Sequence, residues 1–147
     1  MDDPTARPTI LENRVRFAET DQQGIVFYGT FFTYQDETLN QFLRDIDYRY
    51  SRMRDHGFTT HIVHAELDYR HPARFEDVLL NTMRVSRIGG SSFEVDYHAR
   101  RAGDDQSIVE GGAVHVTADV DTGEAVPVPA DFREVITDFQ DDPPETG

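Results

Sequence analysis

The sequence predicts an α+β domain, in which a curled antiparallel sheet of about five strands wraps one long central helix. Three observations lead there. Only one stretch repeats its apolar residues with the period of a long helix, and it is too aromatic to sit half exposed. Four later segments instead alternate with period two. Two of the joints between those segments have hairpin length, which makes the pairings antiparallel. One amphipathic sheet face must cover an apolar partner, and the helix supplies it.

The elements follow in chain order. Residues 1–10 are polar and Pro-bearing and are expected to be frayed, with 11–140 forming a single domain. Arg14-Val15-Arg16-Phe17 alternates and predicts a short strand. A turn follows at Asp21-Gln22-Gln23-Gly24, where glycine can take a positive φ. Thr30 suits the N-cap of the helix, which runs to about Ile46. Its stripe is Phe32, Leu39, Phe42, Leu43 and Ile46, thickened by Phe31 and Tyr34. A helical turn is expected over Tyr50–His56, stopped by Gly57.

Residues 60–70, 78–88, 92–101 and 107–120 are the four long strands. The joints His71-Pro72-Ala73-Arg74, Gly89-Gly90-Ser91 and Gly103-Asp104-Asp105 carry the turn residues. Gly111-Gly112 inside the last strand marks a bulge or a close backbone approach. Pro127 and Pro129 end the strands, Asp131–Phe139 form a terminal helix, and 141–147 read as an acidic, disordered tail.

Composition narrows the function classes. A chain of 147 residues with ten Phe and six Tyr can fill a core of its own. It has no cysteine, which excludes disulfides, thiolate metal sites and a thiol nucleophile. Twenty-eight acids face fourteen basic residues, all of them Arg, and the net charge of −14 argues against nucleic acid or an anionic membrane as partner. An acid excess without lysine fits a protein adapted to a salt-rich cytoplasm; an Arg-biased acidic protein is the plainer alternative. No run of 18 apolar residues and no targeting pattern at Met1-Asp2-Asp3-Pro4 are found, so a soluble, cytoplasmic protein is expected.

The stretch Phe17-Ala18-Glu19-Thr20-Asp21-Gln22-Gln23-Gly24-Ile25-Val26-Phe27-Tyr28-Gly29-Thr30-Phe31 carries the chemistry. It sets one carboxylate in a turn just ahead of a helix start. The first turn of a helix presents N–H groups and the positive end of the dipole, which can hold a carbonyl oxygen as it becomes an oxyanion. A carboxylate looped back beside that end could attack the carbonyl carbon or activate a water. By spacing alone an Asp-x-x-Gly turn in so acidic a chain is more often structural.

The same stretch resembles the 4-hydroxybenzoyl-CoA thioesterase family, whose members carry a pattern close to Asp-x-x-Gly-(Ile/Val)-Val-aromatic-(Tyr/His) before the central helix. It is matched without a gap from Asp21 through Gly24, Val26, Phe27 and Tyr28 to Phe31. Tyr69-Arg70-His71-Pro72-Ala73-Arg74-Phe75-Glu76-Asp77 is similar to the family's Tyr-x-x-Pro-Ala-x-x-x-Asp segment, and Ile88-Gly89-Gly90-Ser91-Ser92-Phe93 to its Gly-x-Ser-Ser turn.

The resemblance implies a hotdog fold and an acyl-CoA thioesterase that needs no metal or redox cofactor. It implies Asp21 as nucleophile or general base, and the backbone N–H of Tyr28 as the group that polarises the carbonyl. Gly24 would keep the loop tight, with Val26 and Phe27 beside the acyl group. The CoA portion would lie on the surface near the Ser91-Ser92 turn and the Arg70–Arg74 segment, which includes Arg74, of a neighbouring copy. It further implies a homodimer or homotetramer with sites at the interface between copies. Relatives often carry His where this chain has Tyr28, whereas the aryl-CoA enzyme carries Tyr; this residue leans towards an aryl thioester.

Other candidates have bland readings. His61 and His64 are three apart on a strand and point to opposite faces, and no His-Glu-x-x-His motif exists, so no metal site is expected. His98 and His115 read as strand-surface or interface residues. Asp36, on the helix, is a candidate second carboxylate or water-binding group. Ser91 and Ser92 lack a Gly-x-Ser-x-Gly context and read as a turn that could also touch pantetheine. Arg70, Arg74, Arg84, Arg87, Arg100 and Arg101 could hold CoA phosphates or could balance nearby acids. Two rivals stand beside this reading: a hydratase or dehydratase, which needs a catalytic His with a partner carboxylate in a different helix-entry motif that is not found here, and a non-catalytic acyl-CoA-binding module, against which an intact Asp21 speaks.

Overall fold

The computed structural model describes residues 7–147. The frayed start expected at 1–10 therefore falls mostly outside the described residues, although the Ile10 N–H already donates to Asn81 O at 2.8 Å. The elements are β1 (Leu11–Arg14), α1 (Thr30–Asp45), α2 (Tyr50–Asp55), β2 (Phe58–Tyr69), β3 (Val78–Ile88), β4 (Ser92–Arg101), β5 (Ser107–Asp119), α3 (Ala130–Phe139) and β6 (Glu145–Thr146). The five main strands form an antiparallel sheet in the order β1-β3-β4-β5-β2. The α+β class and the sheet of about five strands expected from the residue pattern are present.

Two departures from the sequence reading are local. The first strand spans Leu11–Arg14 and not Arg14–Phe17. Arg16 N–H donates to the Glu19 carboxylate at 2.8 Å and winds Phe17–Glu19 into a 3-10 turn, leaving Phe17 77% exposed. The alternation at 14–17 was genuine, but the capping interaction outcompetes an extended backbone there. The acidic tail, expected to lie free, carries β6, which runs parallel to β3 at Arg87 and Ile88. Main-chain pairing needs no apolar side chain, so composition gives no sign of it.

The chain divides into two compact units. One holds residues up to Gln41 with Leu67–Met83 and Tyr97–Gly111; the other holds Phe42–Glu66, Arg84–Asp96 and Gly112–Gly147. In the first, α1 buries Phe31, Tyr34, Thr38 and Leu39, while Phe32, counted in the stripe from the sequence, is partly exposed. Phe31 meets Tyr34 and Tyr69 edge-on at 5.5 and 5.9 Å. β1 pairs with β3 from Leu11↔Asn81 to Arg14↔Val78.

In the second unit Phe132 of α3 is the hub: Tyr48, Phe93 and Phe58 lie 4.8, 5.6 and 5.9 Å from it. Offset and edge-on aromatic contacts of this kind add about 0.5–1.5 kcal/mol per pair beyond area burial. A Cβ on Gly112 would collide with the Val95 carbonyl, which is the close backbone approach that the Gly111-Gly112 pair predicts.

Candidate active site

The stretch that carries the motif folds as a small closed loop in the first unit. Asp21 N–H donates to Ile25 O at 2.8 Å and Gly24 N–H to Asp21 O at 2.9 Å. Gly24 takes φ +79°, a conformation that side-chain-bearing residues adopt only with strain. The Asp21 carboxylate, half-buried, accepts Gln23 N–H at 2.8 Å. Thr20 and Val26 form an antiparallel bridge, and the loop is closed at its base by Phe27 N–H donating to Glu19 O at 3.0 Å. Three residues after Phe27, α1 begins at Thr30.

The flank is supplied by residues 69–77. Val26 N–H donates to Ala73 O at 2.8 Å and Ile25 bridges Arg74, so Arg74 lies against the Asp21 loop as a main-chain neighbour. Its own turn is closed by Asp77, whose carboxylate accepts Arg74 N–H at 2.9 Å. Tyr69 adds a contact that no sequence pattern announced: its hydroxyl donates to Tyr28 O at 2.9 Å. Burial and the neighbouring Tyr28 raise the Tyr69 phenol. Phe27 and Tyr28 lean on each other at 4.6 Å, with Tyr28 66% exposed. The entrance to α1 is thus an open aromatic shelf.

Asp21, Gly24, Val26, Phe27, Tyr28 and Arg74 are brought together in this one unit. Ser91 and Ser92 belong to the second unit, where the turn enters β4; Ser91 O accepts Thr117 N–H at 2.9 Å and Ser92 O accepts Gly89 N–H at 2.8 Å. Asp36 stands at the surface of α1, its carboxyl raised by partial desolvation and by Glu37.

The arginines considered for phosphate contact are largely committed elsewhere. Arg70 pairs with Glu110, Arg84 with Asp142 at 3.3 Å, Arg100 with Asp105 at 3.1 Å, and Arg101 with Asp104 at 3.1 Å. A polar cavity of about 330 Å³ in the second unit, bounded by Arg84, Arg87, Glu94, Asp142 and Glu145 among others, shares no residue with the Asp21 loop. Among the described residues no group of three or more His, Asp or Glu is placed to hold a metal.

Two histidines read as strand-surface or interface residues are buried within the chain instead. His98 Nε2 lies 2.9 Å from Ser107 Oγ, and the His115 ring stacks face to face on Phe93 at 5.0 Å. His115 is in phase with the buried Val109, Ala113 and Thr117 of β5, whereas His98 is buried on the face of β4 opposite to Phe93, Val95, Tyr97 and Ala99, where alternation gives no sign of burial.

The geometry that sequence reading missed is the support beneath the loop. Glu19 is engaged by Arg16 and by the buried Tyr34 hydroxyl at 2.9 Å. Burial works to raise the Glu19 carboxyl, but hydrogen bonds from Arg16 and Tyr34 outweigh it and hold it below the usual carboxylate range. The same burial and contact push the Tyr34 phenol up.

Comparison with known proteins bears on both fold and family. A putative esterase of Aquifex aeolicus is 30% identical over 131 residues, covering 89% of this chain and 99% of that one. A crystal structure of a hypothetical protein from Aquifex aeolicus superimposes with a TM-score of 0.80 at 29% identity, over 88% of this chain and 99% of the other. The 1,4-dihydroxy-2-naphthoyl-CoA thioesterase of Synechocystis does so with a TM-score of 0.80 at 25% identity, over 87% and 94%. Residues 15–136, which span the Asp21 loop, α1 and the long strands, match the thioesterase-like superfamily. The chain belongs to that superfamily and is a thioester hydrolase of the hotdog fold.

Proposed function

We propose that the protein hydrolyses an acyl- or aryl-CoA thioester to the free acid and CoA, with Asp21 as nucleophile or general base. The observation that carries this reading is the closed Asp21 loop, locked at its base to the residue before Tyr28 and opening onto an exposed shelf at the start of α1. In the nucleophilic form an Asp21 oxygen attacks the thioester carbonyl, the negative charge moves to the carbonyl oxygen beside the Tyr28 N–H, and the C–S bond breaks to release the CoA thiolate. Water then opens the acyl–Asp21 anhydride and regenerates the carboxylate. In the general-base form Asp21 takes a proton from the attacking water. Both forms use the same residues.

Aromatic side chains at the shelf, Phe27, Tyr28 and Tyr69, favour an aryl group on the acyl side, in keeping with the Synechocystis relative named for a naphthoyl-CoA substrate. Val26 and Phe27 would flank the acyl group and Gly24 would let it approach. Arg74, beside the loop, is the nearest candidate for the CoA portion, with Ser91 and Ser92 serving a neighbouring copy. A homodimer or homotetramer is part of the reading. β2 is an edge strand of the sheet, and Ile62 and Val63 stand 52% and 60% exposed on it. An edge of that kind invites pairing with a second copy. No helix of the described residues is long and apolar enough to cross a membrane, and the cytoplasm is the compartment this reading implies.

The test is CoA release from 4-hydroxybenzoyl, phenylacetyl, short, medium and long acyl thioesters at high KCl, with Asp21→Asn beside the wild type. A loss of about 10³-fold or more in the variant, with fold and oligomer intact, is expected for a reacting carboxylate. Binding of acyl-CoA without turnover by the wild type would instead make the chain a binding module and Asp21 a turn residue.

A further inference from the structure

We propose that Glu19 and Tyr34 act as positioning residues for the Asp21 loop, fixing it relative to the start of α1; this rests on the reading of Asp21 given above. Glu19 does two things at once. Its main-chain oxygen takes the Phe27 N–H and so closes the loop, while its side chain, 12% exposed, is gripped from two directions. From one side come Arg16 N–H at 2.8 Å and the Arg16 guanidinium at 2.9 Å. From the other comes the Tyr34 hydroxyl at 2.9 Å, on the second turn of α1. A carboxylate taken this far out of water is tolerated only because its oxygens are satisfied.

The anchor is itself backed. The Asn13 side chain acts on the Tyr34 phenol to lower it, Asn81 Nδ2 donates to Asn13 Oδ1 at 2.7 Å, and Tyr97, fully buried, donates to Asn81 Oδ1 at 2.5 Å. Polar contacts thus run from β4 through β3 and β1 towards α1, and then out to the loop. Asp21 lies between the two ends that Glu19 ties down. Nothing else joins the loop to the body of α1 by a side-chain hydrogen bond among the contacts described. Reactions between fixed groups are sensitive to displacements of an ångström, so a loose loop costs turnover more than it costs binding.

The experiment compares kcat and KM of the wild type, Glu19→Ala, Glu19→Gln, Tyr34→Phe and the double variant Glu19→Ala/Tyr34→Phe. Glu19→Ala and Tyr34→Phe are expected to lower kcat about 10- to 100-fold while KM moves by less than about threefold. The double variant should be no worse than Glu19→Ala alone, because both changes break one link. Glu19→Gln should recover most of the rate, since Oε1, which receives both Arg16 N–H and the Tyr34 hydroxyl, is retained.

Hydrogen exchange at the Asp21, Gly24 and Phe27 amides reads the anchoring without reference to activity. It should speed up in Glu19→Ala and Tyr34→Phe and not in Glu19→Gln. Tyr34→Phe removes a single oxygen and keeps the test alive if Glu19→Ala fails to fold. Unchanged kcat and exchange in folded variants, losses that multiply in the double variant, or a Glu19→Gln as impaired as Glu19→Ala would overturn the proposal. Asp21→Asn separates the two claims: if it keeps full activity, the reading of Asp21 fails, and exchange alone then decides the anchor.

Discussion

Single side chains set how the molecule answers to pH. His115 is almost fully buried against Phe93, and that burial lowers its imidazole to about 4. The unfolded chain would bind a proton at about 6.5, so below that pH protonation favours the unfolded state. Stability from this residue is complete above about pH 6.5 and is lost as pH falls towards about 4, to an extent of about 3 kcal/mol. Urea unfolding at pH 7 and pH 5 should show His115→Leu losing about 2 kcal/mol less than the wild type across that interval. Equal losses would mean the histidine is protonated and accommodated in the folded core. The residue scale is also where sequence reading ran shortest. Asp21, Gly24 and Tyr28 stand out in the sequence as candidates because their spacing is local. Glu19–Tyr34 and Tyr69–Tyr28 join residues 15 and 41 positions apart, and nothing in the sequence sets such distances.

At the scale of elements the legibility is reversed. β3 and β4 lie where alternation puts them, at Val78–Ile88 and Ser92–Arg101, and α1 starts at the predicted Thr30. Alternation is strong there because each strand has one buried face, and one face is enough to set the period. β1 and β6 were misread because both are short and held by main-chain bonds, which leave no trace in hydropathy. β1 covers β3 only from Val78 to Asn81. Further along, Gln140 serves the Val85 main chain with both ends of its amide, accepting at 2.6 Å and donating at 3.0 Å, and β6 pairs at Arg87 and Ile88. A chain ending at Phe139 should therefore lose several hydrogen bonds and roughly 2–4 kcal/mol in urea unfolding. It should also form assemblies larger than those of the full chain at the same concentration, since an open β3 edge is a template for pairing. Unchanged stability and light scattering would mean the tail merely rests there.

For the molecule as a whole the dominant physical fact is its charge of −14. Ion pairs recruit part of the arginine complement, yet fourteen acids remain unmatched in the count. Mutual repulsion reaches about 10 Å at 0.1 M salt and about 3 Å at 1 M. The melting temperature should therefore climb by several degrees between about 0.1 and 2 M KCl, most of it below 1 M, where screening changes fastest. A flat profile would detach the acidic surface from stability and return it to solubility alone. Charge also bears on the proposed assembly: pairing of copies along β2 would have to overcome the same repulsion, so association and salt should be measured together.

The Gln140 amide carries a chemical vulnerability. It seals Val85 because one end donates and the other accepts. Slow deamidation would replace the donating end with a carboxylate oxygen facing the Val85 carbonyl, turning one attraction into a repulsion without altering the length of the side chain. Ageing of the sample, rather than mutation, could then unfasten the tail from β3, and a one-dalton gain in mass at this residue would be its mark.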